Sequence, residues 1–305
     1  QGAGDLLAGG PERRSIPTYT FPEAAALALA RGVRHGEWRQ RDTGRALELD
    51  EETFESIREV VEPALQRLGA SGGWLDPGEV DRCLRLAGLR TPVTRVTKTM
   101  EEAKEVADEI GGQVVLKVIS EDALHKSDVG GVVLGVEGEE AVERAFAQVV
   151  GAVPTYEGVL VQEYVPGGHE VLIGMAQDPN FGPMLVFGLG GVYVELLKDV
   201  AFRLQPITDT DASEMVRETQ SFRLLEGYRN NPQGDVPALE EALQRVSALV
   251  WAVPELMEMD LNPVKVLAPG DGVVVVDARM RVEPIAPGKL PAMRDLPGVT
   301  TNPRV

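Results

Sequence analysis

Short apolar runs that alternate with amphipathic segments constrain this chain most strongly. From residue 74 onward, runs typical of β-strands, such as 113–119 and 131–136, are separated by segments with apolar residues at helical spacing. Strands and helices that alternate in this way pack as sheets covered by helices. No apolar run reaches the ~18 residues that a membrane span requires. The pattern therefore predicts a soluble protein of the α/β or α+β class.

The charge balance excludes several kinds of partner. The chain has 305 residues, with 30 Lys and Arg against 48 Asp and Glu, which gives a formal net charge of −18. Nucleic acids and anionic membrane surfaces both require a basic face, so we expect neither as a partner. The length suggests about two domains of roughly 150 residues.

The single cysteine and the N-terminal residues indicate the cellular compartment of the protein. Cys83 is the only cysteine, which excludes an intrachain disulfide framework and a multi-cysteine zinc site. The N-terminal residues lack the charged and then apolar order of a signal peptide. We therefore predict a cytoplasmic protein. Cys83 lies on the apolar stripe of a predicted helix, so a buried structural thiol is expected rather than a nucleophile.

The first part of the chain is too small to fold alone. A short strand is predicted at 17–21, followed by an Ala-rich helix from Pro22 to about Glu37, and one strand with one helix cannot bury a core. The segment that follows is charged, and a second helix ends near residue 68. We divide the chain into an incomplete unit, a linker helix, a domain with alternating elements and an irregular Pro-rich tail, at residues 1–48, 49–73, 74–285 and 286–305.

Lys117 and the loop that follows it form the first candidate site. Lys117 stands inside the apolar run QVVLKVI, either as a solvent-facing residue or as a charge placed to meet an anion. The loop contains His125 and Lys126 and ends in Gly130 and Gly131. A glycine pair lets backbone N–H groups approach phosphate oxygens closely. The chain has no Walker A motif, so this loop would be a phosphate site of another kind.

A second group of candidates follows a strand that breaks at Pro-Gly-Gly. The strand ends with Gln162, Glu163 and Val165, and its free backbone groups could bind the edge of a flat heterocycle. Glu170 begins the next strand and could meet a ribose hydroxyl or a metal. Gly190 lies in another Gly-rich connection, which lacks the strand-turn-helix context of a dinucleotide motif but remains a candidate nucleotide contact.

Polar residues on two late strands form a candidate metal site. If residues 268–271 form a hairpin loop, Leu267 faces Gly272, and Asn262 lies directly opposite Asp277 with Cβ atoms ~5 Å apart. Asp260 then points to the same face as Asn262. Oxygen ligands of this kind suit Mg²⁺, which is held by one or two carboxylates together with substrate phosphates.

These motifs resemble one family in the order in which they occur. They are similar to the ATP-grasp domain of the NDP-forming acyl-CoA synthetases related to succinyl-CoA synthetase, over about residues 74–283. The resemblance is carried by the segments VVLKVIS, HKSDVGGV, VQEYVPGGHE, FGLGGVYVE, DVAFRL, ELMEMDLNPV and VVVDAR. Residues 14–41 resemble the end of the flavodoxin-like CoA-ligase domain that precedes ATP-grasp in fused members.

The resemblance implies a fold and a set of roles. The expected fold has two subdomains with mixed or antiparallel sheets and flanking helices, preceded by a short remnant of a flavodoxin-like domain. Lys117 would bind the phosphates of ATP or ADP, and the 162–165 stretch would hold adenine. Arg203 would be a further phosphate contact. Mg²⁺ would be held by Asn262 and Asp277, with Asp260 as a further ligand.

His125 matches the histidine that carries a phosphoryl group in this family. An imidazole is a nucleophile at neutral pH and a good leaving group once phosphorylated. The resemblance therefore implies a phosphoryl-transfer half-enzyme. A CoA-binding or ligase partner, with the family's second active-site histidine, would act on the carboxylic acid and CoA, in a hetero- or homo-oligomer.

Two other functions are compatible with the same residues. Similar domains occur fused to GNAT-type lysine acetyltransferases, where they can sense acyl-CoA or nucleotide without turnover. Retention of His125, Asn262 and Asp277 speaks against an inactive domain. A purely structural interaction subunit is the third possibility.

Overall fold

The computed structural model describes residues 18–120, 130–190, 199–229 and 231–285. The chain divides into two compact units, residues 1–43 and 44–305. His125, Lys126 and the predicted irregular tail lie outside the described residues. In the described chain, every helix is too short or too polar to span a bilayer.

The first unit contains one helix, α1 (Pro22–Gln40), among its described residues. The helix begins with Pro22 at its first position, as predicted, and extends beyond the predicted end at Glu37. Residues 18–21 are not a strand, so the described part of the predicted strand at 17–21 is wrong. None of the residues of α1 is buried, since a single helix has no core of its own.

The second unit combines helices with antiparallel strands. Its elements are, in chain order, α2 (Glu51–Leu68), β1 (Gly73–Trp74), α3 (Pro77–Leu86), β2 (Thr94–Thr97), α4 (Met100–Ile110), β3 (Val114–Ile119), β4 (Val132–Val136), α5 (Glu139–Gly151), β5 (Gly158–Glu163), β6 (His169–Asp178), β7 (Gly182–Leu189), β8 (Val200–Leu204), α6 (Asp209–Glu218), α7 (Phe222–Leu225), α8 (Val236–Ala252), β9 (Leu256–Val266), β10 (Val273–Val275) and β11 (Ala278–Val282). The predicted mixture of helices and antiparallel sheets is confirmed.

The smaller sheet has the strand order β2-β5-β3-β4 and is covered on one face by α4 and α5. Val114, Leu116 and Val118 of β3 point into this core and are fully buried. Since side chains alternate along a strand, Lys117 lies on the other face, together with Val115. The sheet therefore presents its lysine on the side away from its helices.

The larger sheet has the order β1-β11-β9-β6-β7-β8, with β10 also paired to β9. Val171, Ile173 and Met175 of β6 are buried in the core that this sheet forms with α2, α3, α6 and α8. Glu170 consequently lies on the opposite face of the same strand. Each of the two sheets thus has a helix-covered face and an opposite face, which carries Lys117 in the smaller sheet and Glu170 in the larger one.

Helix α2 belongs to the core of the larger sheet rather than to a linker. Ile57, Val60, Val61 and Ala64 form its buried stripe. Arg58 of α2 also donates two hydrogen bonds to Glu255, Nη1 to Oε2 at 2.7 Å and Nη2 to Oε1 at 3.0 Å. The description of residues 49–73 as a linker helix is therefore wrong for α2, because the apolar stripe makes it a core element.

Two elements predicted as continuous are interrupted. The predicted helix at 210–225 divides into α6 and α7, because Thr219 is extended and ends α6. The predicted strand at 272–280 divides into β10 and β11 around Val276 and Asp277. Cys83 is 1% exposed, and burial raises the pKa of its thiol to about 12, so the prediction of a buried structural thiol is confirmed.

Asp235 connects the start of α8 to the β9–β10 loop. Its Oδ1 accepts from the Ala238 N–H at 3.2 Å, and its Oδ2 accepts from the N–H groups of Gly270 at 2.9 Å and Gly272 at 3.0 Å. The carboxylate therefore both caps the helix and shapes the hairpin loop.

We expect Asp235→Ala to lower the free energy of unfolding by about 2–3 kcal/mol, since it removes a helix cap and two further charged hydrogen bonds. Urea denaturation of the full chain measures the change. Asp271→Ala, an exposed position in the same loop, is the matched control and should have little effect. Equal losses in the two variants would contradict the assignment.

Candidate functional site

The strands on either side of the 268–271 loop pair in the predicted register. Val273 pairs with Val266, and Leu267 N–H donates to the Gly272 carbonyl at 3.0 Å. The N–H of Asn262 donates to the carbonyl of Asp277 at 3.0 Å. Asn262 and Asp277 therefore lie side by side, and the sequence prediction of this pair is confirmed.

Lys117 of the smaller sheet meets Asp277 of the larger one. Their Nζ and Oδ2 atoms are 3.8 Å apart, and 13% of the lysine side chain is exposed. The second Asp277 oxygen, Oδ1, accepts from the backbone N–H of Ala278 at 3.0 Å. Of the two alternatives for Lys117, the structure favours the charge that meets an anion. A cation from one sheet and a carboxylate from the other thus define the centre of the site.

Asp260 adds a second carboxylate on β9. Burial raises the pKa of the Asp260 carboxyl, Arg279 lowers it, and the nearby charges of Asp277 and Glu258 raise it further. Arg279 is also its cross-strand neighbour in the ladder between β9 and β11. The negative charges of these carboxylates repel one another. A bound cation would reduce this repulsion.

The donor set fits Mg²⁺ only together with non-protein ligands. Among the residues described, no three His, Cys, Asp or Glu side chains lie close enough to hold a metal ion. Asp260, Asn262 and Asp277 supply oxygen donors, and Mg²⁺ commonly takes one or two carboxylates and completes its shell with water and phosphate. The residues present fit a magnesium ion that arrives with a phosphorylated ligand.

The side chain of Gln162, a predicted adenine contact, binds protein groups instead. The side chain is buried, and its Nε2 donates to Thr94 Oγ1 and to the Val276 carbonyl, each at 3.1 Å. The Glu163 carboxylate accepts from the Val93 N–H at 3.2 Å. Both side chains are therefore held by protein groups.

Lys265 is a site residue that sequence reasoning missed. Its Nζ donates to the Val165 carbonyl at 2.7 Å, lies 5.6 Å from the centre of the Tyr164 ring and is 4.0 Å from Glu170 Oε1. Its side chain is 12% exposed. The sequence NPVKV already indicates such a residue, because Lys265 stands between two apolar residues, as Lys117 does between Leu116 and Val118.

The predicted site glycines lie in two parts of the structure, Gly190 beside β6 and Gly130 and Gly131 before β4. Gly190 N–H donates to the Glu170 carbonyl at 2.9 Å, and a Cβ at position 190 would lie 3.0 Å from the carbonyl carbon of Glu170. Close packing on β6 therefore accounts for Gly190. Gly130 has a φ of +77°, and the Gly131 carbonyl accepts from the Val118 N–H at 2.9 Å. This bond anchors the start of β4 one residue beyond Lys117.

Arg203 lies on the helix-covered face of the larger sheet. Its cross-strand partner is the core residue Leu185, and its Nη2 is 2.8 Å from Glu218 and 3.6 Å from Glu214 of α6. Glu170 is on the opposite face of the sheet. The structure does not bring Arg203 together with Lys117 and Asp277, so the expected phosphate contact is not supported.

Comparison with known proteins places this site in a family. The family model described as an ATP-grasp domain matches residues 66–282. ADP-forming acetate–CoA ligase I of Archaeoglobus fulgidus is 47% identical over 272 residues, which are 87% of this chain and 38% of that protein. The beta subunit of ADP-forming acetate–CoA ligase I of Pyrococcus furiosus is 38% identical, over 73% of this chain and 96% of the subunit.

A solved structure is also similar. It is a dinucleotide-forming acetyl-coenzyme A synthetase of Candidatus Korarchaeum cryptofilum in complex with coenzyme A and Mg-AMPPCP, with its phosphohistidine segment pointing towards the nucleotide-binding site. The TM-score is 0.65 at 37% identity, over 75% of this chain and all of that one.

The chain thus spans about two fifths of the fused Archaeoglobus ligase and nearly all of the Pyrococcus beta subunit. The expected ATP-grasp fold is confirmed by the family match and the structural similarity together. The chain belongs to the ATP-grasp family, as the beta-subunit-like part of the NDP-forming acyl-CoA synthetases.

Proposed function

We propose that this chain binds ATP or ADP with Mg²⁺ and transfers the phosphoryl group for an NDP-forming acid–CoA ligase. The observation that carries the proposal is the approach of Lys117 to Asp277, beside Asn262, across the two sheets. Such a cation next to oxygen donors suits a nucleotide phosphate with its metal. The magnesium-nucleotide analogue in the Korarchaeum structure supports the proposal.

Lys117 and Asp277 form an ion pair across the two sheets. On nucleotide binding, Lys117 would turn to the phosphate oxygens, while Asp277, Asn262 and Asp260 would hold Mg²⁺. When bound, the ion supplies charge neutralisation and orients the transferred phosphoryl group. The backbone of the 162–165 stretch would meet adenine, Glu170 the ribose, and Lys265 would fix the Val165 carbonyl and the Glu170 carboxylate.

His125 would carry the phosphoryl group between ATP and the ligase partner. In the direction of acyl-CoA formation, an imidazole nitrogen forms a bond to the γ-phosphorus as the bridging P–O bond breaks, and ADP leaves. The partner domain or subunit, with the second active-site histidine, would accept the phosphoryl group and complete the chemistry with carboxylic acid and CoA. The whole enzyme would catalyse acyl-CoA + ADP + Pi = carboxylic acid + ATP + CoA.

The acetyltransferase-linked sensor and the interaction subunit make different predictions about binding. A sensor would bind acyl-CoA without Mg²⁺-dependent nucleotide binding, and an interaction subunit would bind neither. The retained cluster of Lys117, Asp260, Asn262 and Asp277 favours the nucleotide-binding function. The ligase names of the two relatives described above favour it as well.

We expect Lys117→Met to weaken ADP binding in the presence of Mg²⁺ by about ten- to hundredfold, since it removes a charge-assisted contact to phosphate. Isothermal titration calorimetry measures the dissociation constant. Lys104→Met is the matched control, because Lys104 is paired with Glu139 and Glu143 on the helices of the smaller sheet. Unchanged binding in Lys117→Met would contradict the proposed phosphate site.

Incubation with ATP labelled at the γ-phosphate should leave an acid-labile, base-stable label on the chain. The chain has three histidines, so His125→Ala should lose the label while His35→Ala and His169→Ala keep it. Retention of the label in His125→Ala, or its absence from a chain that binds nucleotide, would exclude the relay role of His125.

Asp260→Asn should separate stability from metal binding. The pKa of Asp260 is raised in the folded state from its ordinary value of 3.8, so the folded state loses stability as the pH rises above 3.8. This loss is complete once the pH exceeds the folded-state pKa. In EDTA at neutral pH the variant should therefore unfold at an equal or higher temperature than the parent chain, with the difference vanishing in acid. Its Mg²⁺-dependent ADP affinity should fall. A lower melting temperature in EDTA would contradict this account.

A further inference from the structure

We propose that Gln162 is a positioning residue: its side-chain amide holds the peptide that precedes Asp277, and so places the Asp277 carboxylate for Mg²⁺. The inference rests on the proposed magnesium-nucleotide function. It assigns Gln162 to the metal side of the site instead of to the adenine hinge.

The amide of Gln162 has one orientation that satisfies its neighbours. The side chain is 5% exposed, and its Nε2 donates to the Val276 carbonyl and to Thr94 Oγ1, both at 3.1 Å. A carbonyl can only accept, and the Thr94 hydroxyl already donates to the Pro92 carbonyl at 3.1 Å. The nitrogen of Gln162 must therefore face both groups.

The amide oxygen of Gln162 makes no hydrogen bond in the described part of the chain. A buried amide oxygen without a partner is unfavourable, so the side chain contributes through its nitrogen alone.

The segment held by Gln162 is the break between β10 and β11. On the side of β9, Val276 N–H donates to the Pro263 carbonyl and the Asp277 carbonyl accepts from Asn262 N–H, each at 3.0 Å. The Val276 carbonyl is the group that Gln162 binds from the smaller sheet. Gln162 thus adds a hydrogen bond to this peptide from a residue outside the hairpin.

The Asp277 side chain depends on that peptide for its position. It is 51% exposed, and in the described part of the chain it accepts from the adjacent Ala278 N–H and lies 3.8 Å from Lys117 Nζ. On the proposed function, Lys117 turns to the nucleotide phosphates and its contact with Asp277 is then replaced. The bond from Gln162 to the Val276 carbonyl then still links the smaller sheet to this segment.

Gln162 and Lys117 act from the same face of the smaller sheet. Gln162 pairs with Val115 of β3, and Leu160 pairs with Lys117, so both polar residues lie on the face away from α4 and α5. Gln162 is also the first residue of the 162–165 stretch. The end of β5 therefore leads into the proposed adenine contacts and also binds, through Gln162, the peptide before Asp277.

The test measures how much Mg²⁺ strengthens ADP binding. Dissociation constants are determined by calorimetry in EDTA and in saturating Mg²⁺, for the parent chain, Gln162→Met and Thr94→Val. Methionine keeps the length of the side chain without the donor. Thr94→Val is the matched control, because it removes the other acceptor of the same nitrogen and leaves the Val276 bond in place.

We expect Gln162→Met to reduce the Mg²⁺-dependent gain in affinity by about ten- to hundredfold, as for other residues that support a metal ligand. Its affinity for ADP in EDTA should stay close to that of the parent chain, and Thr94→Val should keep the full gain. A purely structural role would instead weaken ADP binding equally with and without Mg²⁺.

Equal losses in both conditions, or an unchanged gain in Gln162→Met, would overturn the positioning role. If Gln162→Met fails to fold at the assay temperature, Gln162→Leu replaces it, and loss of folding in both variants would also count against the proposal. A parent chain without any Mg²⁺-dependent gain would refute the proposed function itself, which separates the two failures.

Discussion

The pairing register of β9 with β10 and β11 determines where Asp260, Asp277 and Lys265 of the site lie. A shift by one residue would move Asp260 to the core side of the sheet and an apolar neighbour to the open side. The register is fixed by the short loop after Leu267, whose glycine N–H groups are bound by Asp235. The buried residues of β9, which face the helices, would resist any slip, because burying a carboxylate among them is costly.

The site depends further on the meeting of two sheets that have separate cores. The smaller sheet contributes Lys117 and Gln162 from the face that its helices leave open, and the larger sheet contributes the carboxylates and Lys265. Each lysine stands in an apolar strand and meets an oxygen of another element, Asp277 for Lys117 and the Val165 carbonyl for Lys265. Partly buried cations are tolerated because they have such partners, and the same partners position them for phosphate and nucleotide oxygens.

Much of this arrangement could be predicted from local patterns. The apolar stripe around Cys83 and the turn residues after Leu267 gave the correct burial and the correct hairpin register. Patterns failed where a long-range contact decided the outcome. Arg203 is expected to contact phosphate, but it pairs with Glu218, and this pairing is set by how α6 packs against β8. Likewise, the charged segment before α2 favours a linker. In the structure, the apolar stripe of α2 completes the core of the larger sheet.

The sequence by itself determined apolar strands such as β3 and β4, the pairing of Asn262 with Asp277 and the family, because each of these depends on residues close together in the chain or on motifs in order. Only the tertiary structure decided which polar residues meet. The approach of Lys117 to Asp277, the bond from Gln162 to Val276 and the bond from Lys265 to Val165 join residues about 100 to 160 positions apart. Contacts of that range follow from how two sheets pack, which the spacing of residues along one chain does not encode.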